Sequence, residues 1–286
     1  MHLPVSSFAV AFALAFAPSL AAQPAEPEVE EGPGAAPWQA AIYSGNTAWT
    51  PEELARRKPW DLAHKCGGSL IAPGWVLTAA HCINAERIRN GHLVRLGTDR
   101  IDDGSGVSYP IDRMVRHADW NKAKHLYDIA LVHFVEDGSA DPANAGPIEV
   151  IPLYDGPPLE EGVEMVATGW GQLDETKESG YQAELTRVDL VTAECGDFPD
   201  LAGRTRSYQL CAVSRTDDPG DDTCNGDSGG PLVIDGEEPR LAGVVNWGDG
   251  CYREGSAGIY LRIDRDHFRD WIARAMAADP SVSELR

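Results

Sequence analysis

Short apolar runs alternate with turn-forming residues along most of the chain. The runs are rich in Val, Ile, Leu and aromatic side chains, and Gly, Pro, Asn or Asp separates one run from the next. Strands at such regular, turn-punctuated intervals are typical of β-barrels and β-sandwiches. The pattern predicts strands at Gln39–Ser44, Ser69–Leu77, His92–Leu96, Tyr109–Arg116, Ile129–Phe134, Glu164–Trp170, Ala183–Val191, Gln209–Val213, Pro231–Ile234, Leu241–Trp247 and Ile259–Ile263.

Helical periodicity is confined to two stretches. The second of them in the chain, Asp266–Ala278, has one apolar stripe at spacing i, i+3, i+4 and i+7 that can dock onto a barrel, made by Phe268, Trp271, Ile272 and Ala275. The first, Thr50–Arg57, opens with a capping box between Thr50 and Glu53. We therefore expect a mainly β protein with a C-terminal helix and one short inserted helix.

The N-terminal region has the features of an export signal. An apolar stretch from Phe8 to Ala17 precedes small residues that suit cleavage near Ala21 or Ala22, so residues 1–22 are predicted to be a signal peptide. Residues 23–37 lack any apolar period and are predicted to be a mobile pro or linker segment. Because no Lys or Arg precedes the apolar stretch, an uncleaved lipid anchor is kept as the alternative to a cleaved signal peptide. No later run approaches ~20 apolar residues, so no transmembrane helix is predicted.

Composition and charge narrow the classes of function. With 286 residues, 43% of them hydrophobic, the chain can bury the core of one large all-β unit or of two ordinary domains. The formal net charge of −21 argues against binding to nucleic acid or to anionic membranes, which need clustered Lys and Arg. Basic peptides fit this charge better, although an acidic surface can also simply keep an exported protein soluble.

The cysteines predict disulfides. They are an even set in a chain expected to be exported, where thiols oxidise: Cys66, Cys82, Cys195, Cys211, Cys224 and Cys251. Six cysteines allow fifteen connectivities, and the spacings alone do not choose among them. A zinc site is less favoured because the sequence has no Cys-x-x-Cys pair.

Three short motifs contain the residue types that nucleophilic catalysis needs. A serine hydroxyl is a poor nucleophile at neutral pH, so Ser228 needs a base to take its proton. His81 can accept and return that proton, and a buried Asp128 would hold the imidazole in the required tautomer. The motifs are Cys66–Ile71 with Trp75–Cys82 (CGGSLI and WVLTAAHC), Asp128–Val132 (DIALV) and Gly226–Pro231 (GDSGGP).

In this order, the three motifs closely resemble the His, Asp and Ser motifs of the trypsin/chymotrypsin family of serine endopeptidases. The resemblance covers about Trp38 to Ala278 and implies an all-β fold, with two packed antiparallel six-stranded β-barrels of the trypsin-like type and a C-terminal α-helix. It predicts a peptidase domain at 38–278, with barrels at about 38–140 and about 148–263, a helix at 266–278, and a tail at 279–286. The Pro- and Gly-containing segment Asp137–Pro147 is the predicted seam between the halves.

The resemblance also implies roles for residues around the predicted triad of His81, Asp128 and Ser228. The backbone amides of Gly226 and Ser228 would form the oxyanion hole. Asp222 would lie at the base of the specificity pocket, and this charge predicts cleavage after Arg or Lys. Asp221 would take this place if the register were shifted by one residue. The implied pocket walls are Trp247, Gly248, Gly258 and Tyr260, and Asn246 is a further implied substrate-binding residue. The implied disulfides are Cys66–Cys82, Cys195–Cys211 and Cys224–Cys251.

The predicted activation step departs from the family pattern. The family normally begins its mature chain with Ile-Val-Gly-Gly after a basic cleavage site, and the new amine pairs with the residue that is Asp227 here, the predicted activation switch. No Lys or Arg precedes Arg56, and the nearest counterpart, Val29–Gly32, lies too close to Trp38. We therefore expect either that a protease other than a trypsin-like one matures the chain, or that a cation other than a new N-terminal amine pairs with Asp227.

Three further departures are left open by the sequence. Asn246 stands where the family usually has serine, and it would either donate to Asp128 or crowd the pocket. The insertion Gly45–Lys65 is either a substrate or partner contact or an exposed, decorated loop. The acidic loop Asp99–Gly104 lies where some family members bind calcium, but its spacing matches no defined calcium loop, and no metal is assigned.

The sequence therefore predicts a secreted serine endopeptidase that works through an acyl-enzyme and needs no cofactor. Its expected partners are protein or peptide substrates, with protein inhibitors as further candidates, and neither nucleic acid nor membrane. Two alternatives remain: a catalytically silent binding protein that keeps the protease fold, and an active protease with a different specificity.

Overall fold

The computed structural model describes residues 36–45, 48–136, 142–173, 180–216, 222–248, 250–251 and 255–286. The predicted signal peptide, most of the predicted linker, Val29–Gly32, Asp221 and part of the predicted seam lie outside these residues.

Six antiparallel strands form a closed barrel in the N-terminal half. Their spatial order is β5-β4-β1-β2-β3-β6, and pairing between β5 and β6 closes the ring. The strands are β1 (Gln39–Tyr43), β2 (His64–Ala72), β3 (Trp75–Thr78), β4 (Leu93–Leu96), β5 (Val107–His117) and β6 (Ala130–Phe134).

A second closed barrel of six antiparallel strands forms the C-terminal half. Its order is β10-β11-β12-β9-β8-β7, closed by pairing between β10 and β7. The strands are β7 (Glu164–Gly169), β8 (Thr186–Ala193), β9 (Gln209–Ser214), β10 (Pro231–Ile234), β11 (Arg240–Gly248) and β12 (Gly258–Arg262). The prediction of two six-stranded antiparallel barrels is confirmed.

The helices are few and short, apart from the last. α4 (Asp266–Ala277) buries the predicted stripe of Phe268, Trp271, Ile272 and Ala275, which confirms the predicted C-terminal helix. α1 (Pro51–Arg56) begins with the predicted capping box of Thr50 and Glu53. The sequence pattern did not indicate α2 (Pro59–Ala63) or α3 (Ala85–Arg89). No helix in the described ranges has the length and apolar character needed to cross a bilayer.

The structure differs locally from the predicted strands and adds one to them. The strand predicted at Ser69–Leu77 is a hairpin, because Gly74 adopts φ +76° and turns the chain between β2 and β3. The region predicted as a tail contains a further strand, β13 (Glu284–Leu285), which pairs in parallel with Arg116 and His117 of β5.

The largest core cluster joins the two barrels. Val76 and Leu131 of the first barrel belong to the same cluster as Val244 and Leu261 of the second, and all four are essentially inaccessible to solvent. The chain segments just after β3, before β6 and before β10 carry the three residues of the predicted triad. The site is therefore built from loops attached to a rigid, shared core.

Candidate active site

His81 and Asp128 form a hydrogen-bonded pair between two loops of the first barrel. His81 lies in a short 3-10 helix, Ala80–Cys82, and Asp128 lies just before β6. The Nδ1 of His81 donates to Oδ2 of Asp128 over 2.7 Å, and the backbone N–H of His81 donates to Oδ1 over 2.9 Å. Asp128 is only 1% exposed. Because an ionised carboxylate only accepts, this bond places the proton on Nδ1 and leaves Nε2 as an acceptor.

The loop that leads to Asp128 is held by aromatic stacking. His125 and Tyr127 both adopt φ +50°, a left-handed conformation that non-glycine residues rarely adopt. The ring of Tyr127 stacks against His117 at 4.5 Å and against Tyr208 at 4.7 Å. Strained conformations of this kind persist only where the surroundings enforce them. The stack therefore fixes the direction from which Asp128 enters the site.

Asn246 supports Asp128 from behind. Its Nδ2 donates to the backbone carbonyl oxygen of Asp128 over 3.1 Å, and Asn246 is 2% exposed. Of the two outcomes left open by the sequence, the amide donates to Asp128, but to its backbone and not to its carboxylate. Asn246 also lines the cavity that His81 and Ser228 share.

Ser228 lies in a tight turn just before β10. The turn is closed by a hydrogen bond from Gly230 N to the carbonyl of Asp227, and Gly67 N donates to the carbonyl of Ser228 over 2.9 Å. At Gly229, with φ +81°, a Cβ atom would lie 2.2 Å from Oγ1 of Thr78, so only glycine fits there. Ser228 and His81 line one cavity of about 450 Å³. The structure thus brings the three triad candidates to one place.

The turn also orients the peptide that carries the Gly226 amide. Gln172 N donates to the carbonyl oxygen of Asn225 over 2.9 Å. Since C=O and N–H point in opposite directions across a planar trans peptide, the N–H of Gly226 points away from Gln172. In the part of the chain that the structure describes, neither Gly226 N nor Ser228 N donates to a protein acceptor. Both amides are therefore available to an incoming oxygen atom.

His64 lies on the carbonyl side of Gly226. Its Nε2 donates to the carbonyl oxygen of Gly226 over 3.0 Å, and the imidazole is completely buried. Burial lowers the pKa of His64 to about 4, although the bond to Gly226 works against this change. At neutral pH His64 is thus an uncharged donor that holds the Gly226–Asp227 peptide.

Asp227 is buried beneath the same turn. Its Oδ1 accepts from Gly171 N and its Oδ2 accepts from Cys224 N, both over 2.8 Å. Burial raises the pKa of Asp227 to about 7, and the two amide bonds only partly offset this effect. Among the described residues, no Lys, Arg or His forms an ion pair with Asp227. The carboxylate is anchored to the backbone but has no cationic partner there.

The lining of the cavity beside Ser228 includes residues 223–225 and 246–248. Trp247 and Gly248 are thus among the residues that line this cavity. Asp222 is not among the lining residues. It accepts from Thr223 N over 2.7 Å and lines a separate cavity of about 10 Å³ with Thr223 and Asp227. Thr223 lines both cavities, so Asp222 lies one residue beyond the wall of the larger one.

Gly258 also lies outside that lining, and its lack of a side chain has a clear reason. A Cβ atom at Gly258 would lie 2.8 Å from the hydroxyl oxygen of Tyr260. This hydroxyl is 3.0 Å from Oγ1 of Thr223. Burial raises the pKa of Tyr260 well above its usual value, and the charge of Asp222 raises it further. Tyr260 therefore stays a neutral phenol that supports the wall at Thr223.

Motif reasoning assigned no role to several residues that the structure places at the site. Trp247 lies between the ring of His125, at 5.3 Å, and the guanidinium of Arg204, at 4.8 Å. His125 lines the cavity, while His64 and Tyr181 contact Gly226. None of these contacts could be recognised from a local sequence motif, because the partners lie far apart in the chain.

The six cysteines form the three pairs that the resemblance implied: Cys66–Cys82, Cys195–Cys211 and Cys224–Cys251. Among the described residues, one group of three metal-ligand types occurs: His81 with Cys66 and Cys82. Both sulfur atoms belong to a disulfide, and a zinc site would need them as thiolates. The Cys66–Cys82 bridge instead fixes the segment that carries His81.

A guanidinium occupies the centre of the acidic loop Asp99–Gly104. Arg95 Nη1 donates to the carbonyl of Ile101 over 3.2 Å, and Arg95 Nε donates to the carbonyl of Ser105 over 2.6 Å. These carbonyls are the kind of oxygen that a calcium ion would bind. In this structure both carbonyls accept hydrogen bonds from Arg95.

Comparisons with known proteins agree with this architecture. The sequence model of the family described as Trypsin matches residues 28–272. Trypsin 5G1 of Aedes aegypti is 34% identical over 243 residues, which are 82% of this chain and 86% of that protein. Trypsin eta of Drosophila erecta is 33% identical over 211 residues, 74% of this chain and 78% of that protein. The solved structure of neuropsin, a serine protease expressed in the limbic system of mouse brain, superposes with a TM-score of 0.64 at 26% identity, covering 84% of this chain and 94% of that one.

Proposed function

The chain belongs to the trypsin family of serine proteases, and on this premise we propose that it cleaves peptide bonds after Arg or Lys through an acyl-enzyme formed on Ser228. As a serine endopeptidase it acts on protein substrates. The observation that carries the proposed mechanism is the His81–Asp128 pair, whose imidazole lines the same cavity as Ser228.

In the proposed mechanism, the Oγ of Ser228 attacks the scissile carbonyl carbon as His81 Nε2 takes the hydroxyl proton. Asp128 stabilises the imidazolium that forms. The C–N bond then breaks, and His81 returns the proton to the departing amine, which leaves an ester on Ser228. Water attacks the ester with His81 again as base, and the products are a carboxylate and free Ser228.

The amides of Gly226 and Ser228 are proposed to bind the oxyanion of each tetrahedral intermediate. Their support is the turn geometry, in which neither amide donates to the protein among the described residues. Losing one such donor typically lowers turnover about 10²–10³-fold.

The proposed preference for Arg or Lys rests on Asp222. Asp222 directly precedes Thr223, which lines the cavity, and a long basic side chain bound there would reach its carboxylate better than a short or apolar one. Trp247 and Gly248 would form the opposite wall. Profiling with a peptide library tests this preference, and Asp222→Ser is expected to lower kcat/KM for arginyl substrates far more than for apolar ones. Equal losses on both classes would overturn the role of Asp222.

Asp227 is proposed to be the activation switch, and the mature protein is proposed to be secreted. The carboxylate anchors the turn through Gly171 and Cys224 and has no ion-pair partner among the described residues, so a cation gained on maturation would stabilise it. Three disulfides are typical of exported proteins. N-terminal sequencing of the secreted active form tests both points together.

Hydrolysis of an arginyl chromogenic amide tests the enzyme proposal itself. The secreted mature protein should release the chromophore, and Ser228→Ala should abolish the reaction while leaving the fold intact. A correctly folded mature protein without hydrolysis would instead support a silent binding protein that keeps the protease fold.

A further inference from the structure

The inserted segment, which we define as residues 48–63, has one exposed and one buried part. α1 buries no residue, and Leu54 is 47% exposed. α2 in contrast buries Asp61 and Leu62, and Trp60 packs with a cluster that contains Tyr43 and Trp170. A loop that merely decorates the surface would not bury a carboxylate, because an isolated buried charge is costly. The buried end of the segment therefore has a structural task.

Asp61 links the inserted segment to the second barrel. Its carboxylate accepts from Arg57 Nε over 2.6 Å and from Arg57 Nη2 over 2.5 Å, so its charge is compensated within the segment. Oδ1 also accepts from the backbone N–H of Tyr181 over 2.9 Å. Asp61 is 5% exposed. Two charge-assisted bonds from Arg57 thus hold the Asp61 carboxylate, and its bond to Tyr181 N joins the segment to a residue far away in the sequence.

Tyr181 contacts the peptide that carries the proposed oxyanion donor. A Cβ atom on Gly226 would lie 2.7 Å from Cε1 of Tyr181, so the ring packs directly against the Cα side of this glycine. The guanidinium of Arg57 lies 4.7 Å from the centre of the Tyr181 ring. The ring of His64, the residue directly after α2, meets Tyr181 edge-on at 5.0 Å. Arg57, Tyr181 and His64 therefore form one packed unit beside Gly226.

Gly226 needs such support because it has φ +104°, a conformation that glycine reaches freely and also leaves freely. Three contacts hold it. Gln172 N fixes the carbonyl of Asn225, His64 Nε2 fixes the carbonyl of Gly226, and the ring of Tyr181 covers the Cα. Two of the three come from His64 and Tyr181, and both adjoin the buried end of the inserted segment.

We propose that Asp61 is a positioning residue for catalysis, which acts through Tyr181 and His64 to keep the Gly226 peptide in the orientation that presents its N–H to the oxyanion. This inference rests on the proposed function. The inserted segment is then a brace for the oxyanion hole and neither a substrate contact nor a decoration. Its effect falls on the transition state, because the N–H of Gly226 bonds most strongly to the charged tetrahedral oxygen.

Steady-state kinetics on an arginyl p-nitroanilide, combined with hydrogen exchange, test the brace. We expect Asp61→Ala and Tyr181→Leu to lower kcat about 10–100-fold, less than the loss of a whole donor, with KM changed by less than about twofold. Affinity for a peptidyl arginine aldehyde, which forms a tetrahedral adduct, should fall in parallel with kcat. Hydrogen exchange in a peptide spanning residues 224–230 should become faster. Asp61→Asn keeps an acceptor for Tyr181 N, so its kcat should fall less than that of Asp61→Ala.

Leu54→Ala is the matched control, since it alters the exposed helix of the same segment and should change none of these readouts. Unchanged kcat and unchanged exchange in Asp61→Ala would overturn the brace, as would equal losses in Leu54→Ala. If the wild-type protein were inactive but exchange at 224–230 still responded to Asp61→Ala, the proposed catalytic function would fail and the brace would stand. An inactive wild type without that response would overturn both.

Discussion

Two buried carboxylates lie near the turn that carries Gly226 and Ser228, and they are stabilised in opposite ways. Asp61 is paired with Arg57 four residues earlier on the same inserted segment. Asp227 accepts only from two backbone amides in the described structure, and burial raises its pKa to about 7. The charge of Asp61 is compensated within its own segment, whereas Asp227 is only partly ionised at neutral pH unless a cation lies near it. The turn that carries Gly226 and Ser228 is therefore supported on the Asp61 side by an ion pair within the fold. On the Asp227 side its support depends on whether a cation compensates the carboxylate.

The largest effect is expected from removing the less well compensated carboxylate. Asp227→Ala releases Gly171 N and Cys224 N together and frees the turn that holds both proposed oxyanion donors. We expect kcat/KM for an arginyl amide to fall about 10²–10³-fold, more than for Asp61→Ala. The exposed Asp235→Ala serves as the control. A smaller loss in Asp227→Ala than in Asp61→Ala would reverse the ranking of the two sides.

The pH dependence of the free energy of unfolding should also distinguish Asp227 from Asp61. Between the ordinary pKa of an Asp and about 7, the unfolded chain has an ionised Asp227 while the native state keeps the proton. The native state then binds more protons, so the free energy of unfolding falls as pH rises through this window. Relative to Asp227→Asn, the wild type should lose on the order of 1 kcal/mol per pH unit in urea denaturation. Parallel curves for the two proteins would show that a cation already compensates Asp227.

His64, on the other face of Gly226, should give a dependence of opposite sign. Its native pKa of about 4 lies below that of the unfolded chain, so between about pH 4 and pH 6.5 the unfolded state binds more protons. The free energy of unfolding therefore rises with pH in this window and stops rising near pH 6.5. His64→Gln keeps an N–H donor for Gly226 and should flatten this rise. An unchanged slope in the variant would mean that His64 does not titrate as its burial requires.

The smallest effect is expected at the exposed end of the inserted segment. Thr50→Ala removes the capping box of α1, which should cost about 1 kcal/mol of local helix stability. Because α1 buries nothing, we expect faster hydrogen exchange within residues 48–57 and no change in kcat. A drop in kcat would extend the brace to the whole segment and remove the distinction between its two ends.

The sequence identified those parts of the site that local motifs encode. The motifs that contain His81, Asp128 and Ser228 each place a catalytic residue type next to turn or strand residues, and family resemblance then implied the barrels and the disulfide pairs. Most strands followed from apolar runs bounded by turns. The exception at Ser69–Leu77 arose because the left-handed Gly74 splits an otherwise continuous apolar run.

Long-range contacts could not be predicted in the same way. α2 is too short to show a helical period, so nothing in the sequence indicated that Asp61 would be buried. Its bond to Tyr181 joins segments of both barrels, and the pairing of Glu284 with Arg116 likewise joins the tail to a distant strand. Such contacts depend on how the barrels pack, which no single window of sequence specifies.

Covalent labelling of the nucleophile is the sharpest test of the proposed catalytic role of Ser228. The secreted mature protein is incubated with a fluorophosphonate, and the modified residue is located by mass spectrometry. We predict a single adduct on Ser228, formed much more slowly in His81→Ala because the base is lost, and absent in Ser228→Ala. An active protein that carries the label on another residue, or that still hydrolyses the arginyl amide as Ser228→Ala, would contradict it.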